Sequence, residues 1–415
     1  MIILILYVAR IYTRLDNGYI MRLLLITVLC IFSLPSFSQD GEYLREYPFS
    51  LGDRLDSRVI VRTSIALNKL GYDAFNQGMI NVLSEKTALW VEPLWSFFWT
   101  FNFTMWPHDY GHWVRANQAG GDFIIEKYGF PFPIARMVVP PGATGLQKSL
   151  MSAGGFEINT MMREYTENRL YETGSRDAED MVHGFIQTIL FPMYTNLIAP
   201  TDPGKATTWI NTYGDPVDVV KQVYEHYSGK SAVDTFGNAE PQLVALYNEF
   251  YWANIFAVLV DPLTYKMAGA FGADMRQRPR ISSSWLYESN DFSWAYTSRF
   301  NPGALGYELY FTQHIQFAKR YLRLYLRNGR PFKNTGLGVA IPDLYTQGKF
   351  KLGAQLDIWD QDLFGTGTML TVSSGYRMSP KIELMLDLHR KDDGYVIGHR
   401  LEPDAGLLFH ITYYM

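Results

Sequence analysis

Cysteine is almost missing from this chain: among 415 residues there is one, Cys30. It lies in the apolar stretch Leu23 to Leu34, which follows Met21 and Arg22 and runs into Pro35-Ser36-Phe37-Ser38. A short positive start, about a dozen apolar residues and small residues before Gln39 predict a cleaved secretory signal over 21–38. The stretch is too short for a spanning helix, which needs roughly 20 residues. A second apolar run, Met1 to Val8, precedes Met21, and residues 1–20 are expected to lie ahead of the true start. Leu29, before Cys30, is too large for a lipoprotein cleavage site. Once Cys30 is removed, disulfides and thiolate ligands are excluded, so any metal site must be built from His, Asp and Glu.

Other absences narrow the function further. The 37 basic residues are outnumbered by 41 acidic ones, a net charge of −4, so there is no basic footprint for nucleic acid. No glycine-rich phosphate loop and no Gly-x-Ser-x-Gly elbow appears, which leaves nucleotide-dependent and serine-hydrolase chemistry unsupported. A mean hydropathy of −0.09 is too polar for a polytopic helical membrane protein, yet it suits a β-barrel, in which alternate residues face water. What is abundant is aromatic: 28 Tyr, 26 Phe and 10 Trp, fitting either a membrane interface or aromatic-rich packing.

Two textures divide what remains, giving an α+β expectation. Over 39–278 the apolar residues follow helical spacing. Two short helices are expected between Arg58 and Leu83, broken near Gly71. Ala88 to Trp106, apolar on every side, is expected as a buried or membrane-contacting helix. Further helices are expected over 146–172, 177–197 and 241–267, with a short one over 216–227. Over 279–415, period-2 alternation takes over in about eight strands joined by short hairpins, among them Tyr321 to Arg327 and Lys349 to Ile358. Strands with one polar and one apolar-aromatic side resemble a small antiparallel outer-membrane barrel; a soluble antiparallel sheet is the other reading. Barrels of that kind usually end on an aromatic residue, and Met415 follows Tyr414 here.

One constellation could carry chemistry. His108 and His112 stand four positions apart, which on a helix puts both imidazoles on one face, as two ligands of one ion require. Here His108-Asp109-Tyr110-Gly111-His112-Trp113 resembles the HExxH zinc metallopeptidases, particularly the site-2-protease-like branch, whose motif commonly reads His-Glu-x-Gly-His. The departure is Asp109, which stands where those enzymes carry their glutamate base and is shorter by one methylene. The resemblance covers about 55 residues, His108 to roughly Met162. It implies zinc and a peptide or protein substrate, with Asp109 acting on the water. For the third ligand, the glutamate-zincin pattern implies Glu157, on a helix whose Gly154-Gly155 would let it approach the histidines closely; the site-2-protease pattern implies Asp261. The first histidine box of membrane desaturases is similar too, but the remaining histidines, His183, His226, His314, His389, His399 and His410, are scattered singly and form no second box.

These readings give an exported, zinc-dependent, peptidase-like protein of the outer membrane whose helical domain faces the periplasm. The alternatives are a non-catalytic outer-membrane or surface protein with a relict or structural metal site, and a soluble periplasmic or secreted protein.

Overall fold

The computed structural model describes residues 46–53, 56–80, 82–127, 134–173, 178–198, 214–271, 284–317 and 320–414. The expected signal over 21–38 and the expected domain boundary at 278/279 lie outside them. Among the described residues, seven helices occupy the first part: α1 (Ser57–Ile80), α2 (Glu85–Gln118), α3 (Gly145–Thr173), α4 (Ala178–Ile198), α5 (Asp215–Ser228), α6 (Pro241–Val260) and α7 (Pro262–Phe271). Strand β1 (Glu46–Leu51) precedes them, and the hairpin β2 (Asp122–Lys127) and β3 (Ile134–Val138) joins α2 to α3.

Local chemistry sets the helix ends. At the start of α2, the Ser84 hydroxyl accepts from the Thr87 N–H. A reciprocal capping box precedes α3: Thr144 Oγ1 accepts from the Gln147 N–H at 3.2 Å, and Gln147 Oε1 accepts from the Thr144 N–H at 3.0 Å. Helix α5 has Pro216 in its first turn and ends on Gly229 with φ 66°, which a residue bearing a Cβ would resist. Its Val217, Val220, Val223 and Tyr224 make one buried stripe. Residues 57–80 form one helix rather than two. Gly71 does not interrupt it; a Cβ there would sit 2.0 Å from the Trp99 ring of α2, so glycine serves contact between the helices.

The expected barrel does not form. Strands β5 (Phe292–Gly303), β6 (Gly306–Phe317), β7 (Arg320–Pro331), β8 (Asn334–Gln347), β9 (Phe350–Gln361), β10 (Gly365–Ser379), β11 (Ile382–Lys391) and β12 (Asp404–Tyr414) run as an antiparallel meander. The sheet has ten strands rather than about eight, and it is open. The outer edge of β12 is taken by β1, from the far end of the chain, and that of β5 by the two-residue β4 (Tyr287–Glu288). The outermost strands of the sheet, β1 and β4, therefore do not pair with each other.

Helix α3 packs on the inner face of this sheet through apolar contacts, Leu170 and Tyr171 with Ala295 and Tyr321 and Leu150 with Leu305 and Phe332, and through polar ones. Thr297 of β5 hydrogen-bonds Glu167, Arg299 pairs with Glu164 at 2.7 Å, and Arg323 of β7 reaches Glu164 at 3.1 Å. From the β11–β12 connection, the Tyr395 hydroxyl donates to Glu157. Apolar packing is concentrated among the helices, where Phe156, Phe191, Val220, Leu243 and Phe250 share one buried cluster with Phe300 of β5. Helices and sheet form a single unit, Glu46–Tyr413.

Helices α2 and α3 cross backbone to backbone. A Cβ at Gly111 would lie 2.2 Å from the Gly154 carbonyl oxygen, and one at Gly154 would lie 2.5 Å from that of Gly111. Gly111→Val is therefore expected to cost at least about 1–3 kcal/mol in chemical denaturation, the range for overpacking. By contrast, Gly78→Ala in α1, where a Cβ meets nothing within 4 Å, should stabilise by up to about 1 kcal/mol through helix propensity.

Candidate metal centre

The crossing of α2 and α3 puts both histidines against α3. A Cβ on Gly155 would lie 2.5 Å from the His108 ring, so the glycine leaves the imidazole its room. Both side chains are buried. Each ring is oriented through its Nδ1: His112 Nδ1 lies 2.8 Å from the Met151 carbonyl oxygen, and His108 Nδ1 lies 2.6 Å from Asn159 Oδ1. A carbonyl can only accept, so His112 donates from Nδ1. The Asn159 amide is oriented by its own donation to Gln187 Oε1 at 2.8 Å, and Gln187 Nε2 donates to Thr104 Oγ1 at 2.7 Å. His108 thus donates from Nδ1 as well. When both rings are neutral, each therefore has its lone pair on Nε2.

Those two Nε2 atoms face one another at 3.3 Å. The third group is Asp215, whose Oδ2 lies 2.8 Å from His108 Nε2 and 3.2 Å from His112 Nε2. Tetrahedral zinc, with bonds of about 2.0–2.1 Å, holds its ligand atoms roughly 3.3–3.4 Å apart. Three donor atoms at 2.8 to 3.3 Å could hold one shared cation, and without it a proton on His112 Nε2 serves the contact with Asp215. Hydrogen-bonded Nδ1 positions are also what orients imidazole ligands in metal sites. Asp215 sits in the first turn of α5, where the helix dipole favours a carboxylate.

The charges of the trio perturb one another strongly. Burial works to raise the Asp215 carboxyl, but the imidazoles of His112 and His108 outweigh it and hold the group far below the usual carboxylate range. Burial likewise opposes protonation of His112; Asp215 reverses this and raises its pKa to about 9. Asp109, next to His108 and mostly buried, is pushed up to about 6, first by burial and then by Asp215, against the pull of both histidines.

Both carboxylates expected as third ligand are engaged elsewhere. Glu157 is wholly buried, with one oxygen 2.5 Å from Arg115 Nε and the other accepting from the Tyr395 hydroxyl. Asp261 accepts from Arg163 at 2.7 Å and from Thr264 at 2.6 Å. Asp215 stands in their place beside the histidines. The short helix that the sequence predicts over 216–227 begins one residue earlier, at Asp215. Asp215 is 107 positions from His108, so no ligand spacing could mark it. Gly214-Asp215-Pro216, a helix start with an acid in its first turn, was the one available signal.

A second trio, His389, His399 and Asp404, also gathers three donors. His389 and His399, which stand singly in the sequence, are both buried by the fold. His389 Nε2 lies 3.1 Å from Asp404 Oδ2, but the Arg58 guanidinium sits 3.3 Å from His389 Nδ1. Arg58, Lys391 and Arg115 all act electrostatically on His399. A metal cation there would face three positive groups, so this trio fits one poorly.

Asp215→Asn or His112→Ala should abolish stoichiometric zinc in the purified protein, measured by elemental analysis. Glu157→Gln should retain it; loss of zinc in Glu157→Gln with retention in Asp215→Asn would reverse the assignment. Comparison with family models, with curated proteins and with solved structures finds no match for this chain.

Proposed function

We propose that this chain is a metal-dependent hydrolase of the cell envelope, in which His108, His112 and Asp215 hold zinc and Asp109 serves as general base. The observation that carries the reading is the trio of donor atoms 2.8 to 3.3 Å apart, with both imidazoles locked through Nδ1. Zinc bound to two histidines and a carboxylate brings the pKa of a bound water near 7 and polarises a carbonyl.

The remaining work falls to the chain's own residues. Asp109, which directly follows His108, can take a proton at a carboxylate oxygen and return it to a leaving group, the role that the resemblance of residues 108–113 implies for it. Asn159 and the Met151 carbonyl keep the imidazoles in the tautomer that leaves Nε2 free. Phe123 stacks on His112 with ring centroids 5.6 Å apart, and Phe156 packs edge-on against His108 at 5.1 Å, which fixes both rings in place. A peptide bond is the proposed substrate group, on the strength of the resemblance of residues 108–113 to the zinc peptidases.

The second reading is a structural or relict site, favoured by Asp109 standing where a glutamate would reach about one methylene further. The test is hydrolysis of casein and of a peptide library by zinc-loaded protein. Asp109→Asn is expected to keep its zinc and lose about 10²- to 10⁴-fold in kcat, the range for a general base. Stoichiometric zinc without hydrolysis would establish the structural reading instead. Stoichiometric iron would overturn the hydrolase, because two histidines and one carboxylate also suit ferrous oxygenase chemistry.

A further inference from the structure

The sheet is inside out by the standards of a water-soluble protein. Its helix-facing side carries charge: Arg323 and Arg327 of β7, Asp357 of β9, Glu383 and Lys391 of β11 are all buried. The opposite side, with no element of the described chain packed over β7–β11, is apolar. There Leu326 is 59% exposed, Leu337 51%, Leu370 49%, Leu388 50% and Leu407 53%.

Register joins these side chains into one band. Leu326 pairs with Leu337, Leu337 with Ile358, Leu356 with Leu370, Val372 with Leu388, and Leu388 with Leu407. The outward positions of β7, β9, β10 and β11 between the strand ends carry no charged side chain. One rim of the band is aromatic, with Phe350 directly opposite Tyr376 and with Tyr345 and Phe317 exposed at neighbouring strand ends. At the other rim charge resumes, in the exposed Lys333–Asp360 pair and in Arg390 and Asp392. Phe350 to Ile358 is about nine residues, and a tilted strand crosses a bilayer core in roughly 9–11.

We propose that the outward face of β7–β12 is a lipid-contacting surface that meets the acyl chains of a bilayer. A polar, helix-filled interior behind an apolar exterior edged by aromatic residues is the polarity that hydrocarbon selects. Open sheet edges are excluded from hydrocarbon unless covered by protein; here helices cover β1 and β5, and the two-residue β4 is exposed. Ser50 of β1 donates its N–H to Thr63 of α1, and β5 is buried from Ala295 to Gly303 except at Tyr296, packed against α3 and α6. Helix α6 continues the apolar surface on that side, exposing Trp252, Phe256 and Leu259, and it is long and apolar enough to cross a membrane.

The inference stands apart from the metal reading and is tested separately. Full-length protein carrying Cys30→Ser is given one cysteine, Leu356→Cys or Leu388→Cys on the band or Thr235→Cys in the exposed α5–α6 loop. Each is labelled with an environment-sensitive fluorophore in phosphatidylethanolamine–phosphatidylglycerol vesicles. Brominated acyl chains are expected to quench the two band labels and not Thr235→Cys, whereas aqueous iodide should do the reverse. Wild-type protein should float with the vesicles after an alkaline carbonate wash. Iodide quenching at Leu356→Cys and Leu388→Cys would overturn the proposal, as would wild type that stays soluble without detergent. A soluble dimer shielding both labels from both quenchers would assign the face to a second copy. Zinc content read in the same vesicles keeps failure of the metal site distinct from failure of the lipid contact.

Discussion

The approach of α2 to α3 is the contact on which the site depends. With only hydrogen at Gly111 and Gly154, the two backbones come within van der Waals range, and groups on either side of the crossing are brought into hydrogen-bonding distance. His112 can then donate to the Met151 carbonyl and His108 to Asn159, and Gly155 leaves space for the His108 ring. Three residues along from His112, Arg115 bonds Glu157 on the same pair of helices and donates to the His399 carbonyl of the β11–β12 connection at 2.6 Å. One crossing therefore orients both imidazoles and ties the helices to the sheet. Breaking such a buried ion pair leaves an uncompensated charge, which is costly. This is a sufficient reason for Glu157 to be where it is, without any role as a ligand.

The same interior explains how carboxylates of one helix come to do different work. On α3, Glu157, Glu164 and Glu167 each meet a cationic or hydroxyl partner from the helices or the sheet. Asp215 comes from another element and meets two imidazoles whose other nitrogens are already donating. What distinguishes the candidate ligand Asp215 from these structural acids is the partner that the fold delivers. Asp109, held near His108 and close to neutrality in its ionisation, differs from both.

Much of this was legible in the sequence, and the rest was not for identifiable reasons. The helical half, the HxxxH face and the packing role of Gly154-Gly155 follow from local periodicity and from the size of glycine. Period-2 alternation revealed the hairpins of β5–β12, but alternation states only that a strand has two faces. That the charged face turns inward depends on α3 lying behind it. Closure was likewise not local: β1 is separated from β12 by the whole chain, and its pairing there is what leaves the sheet open. Asp215 escaped for the same reason, since its partners on α2 are set by tertiary contact.

The most direct test is X-ray absorption at the zinc edge of the purified, zinc-loaded wild-type protein. Two imidazole nitrogens at about 2.0–2.1 Å and a carboxylate oxygen at about 2.0–2.2 Å are expected in a four-coordinate shell. A six-coordinate, all-oxygen shell, or one containing a single imidazole, would contradict a centre built from His108, His112 and Asp215.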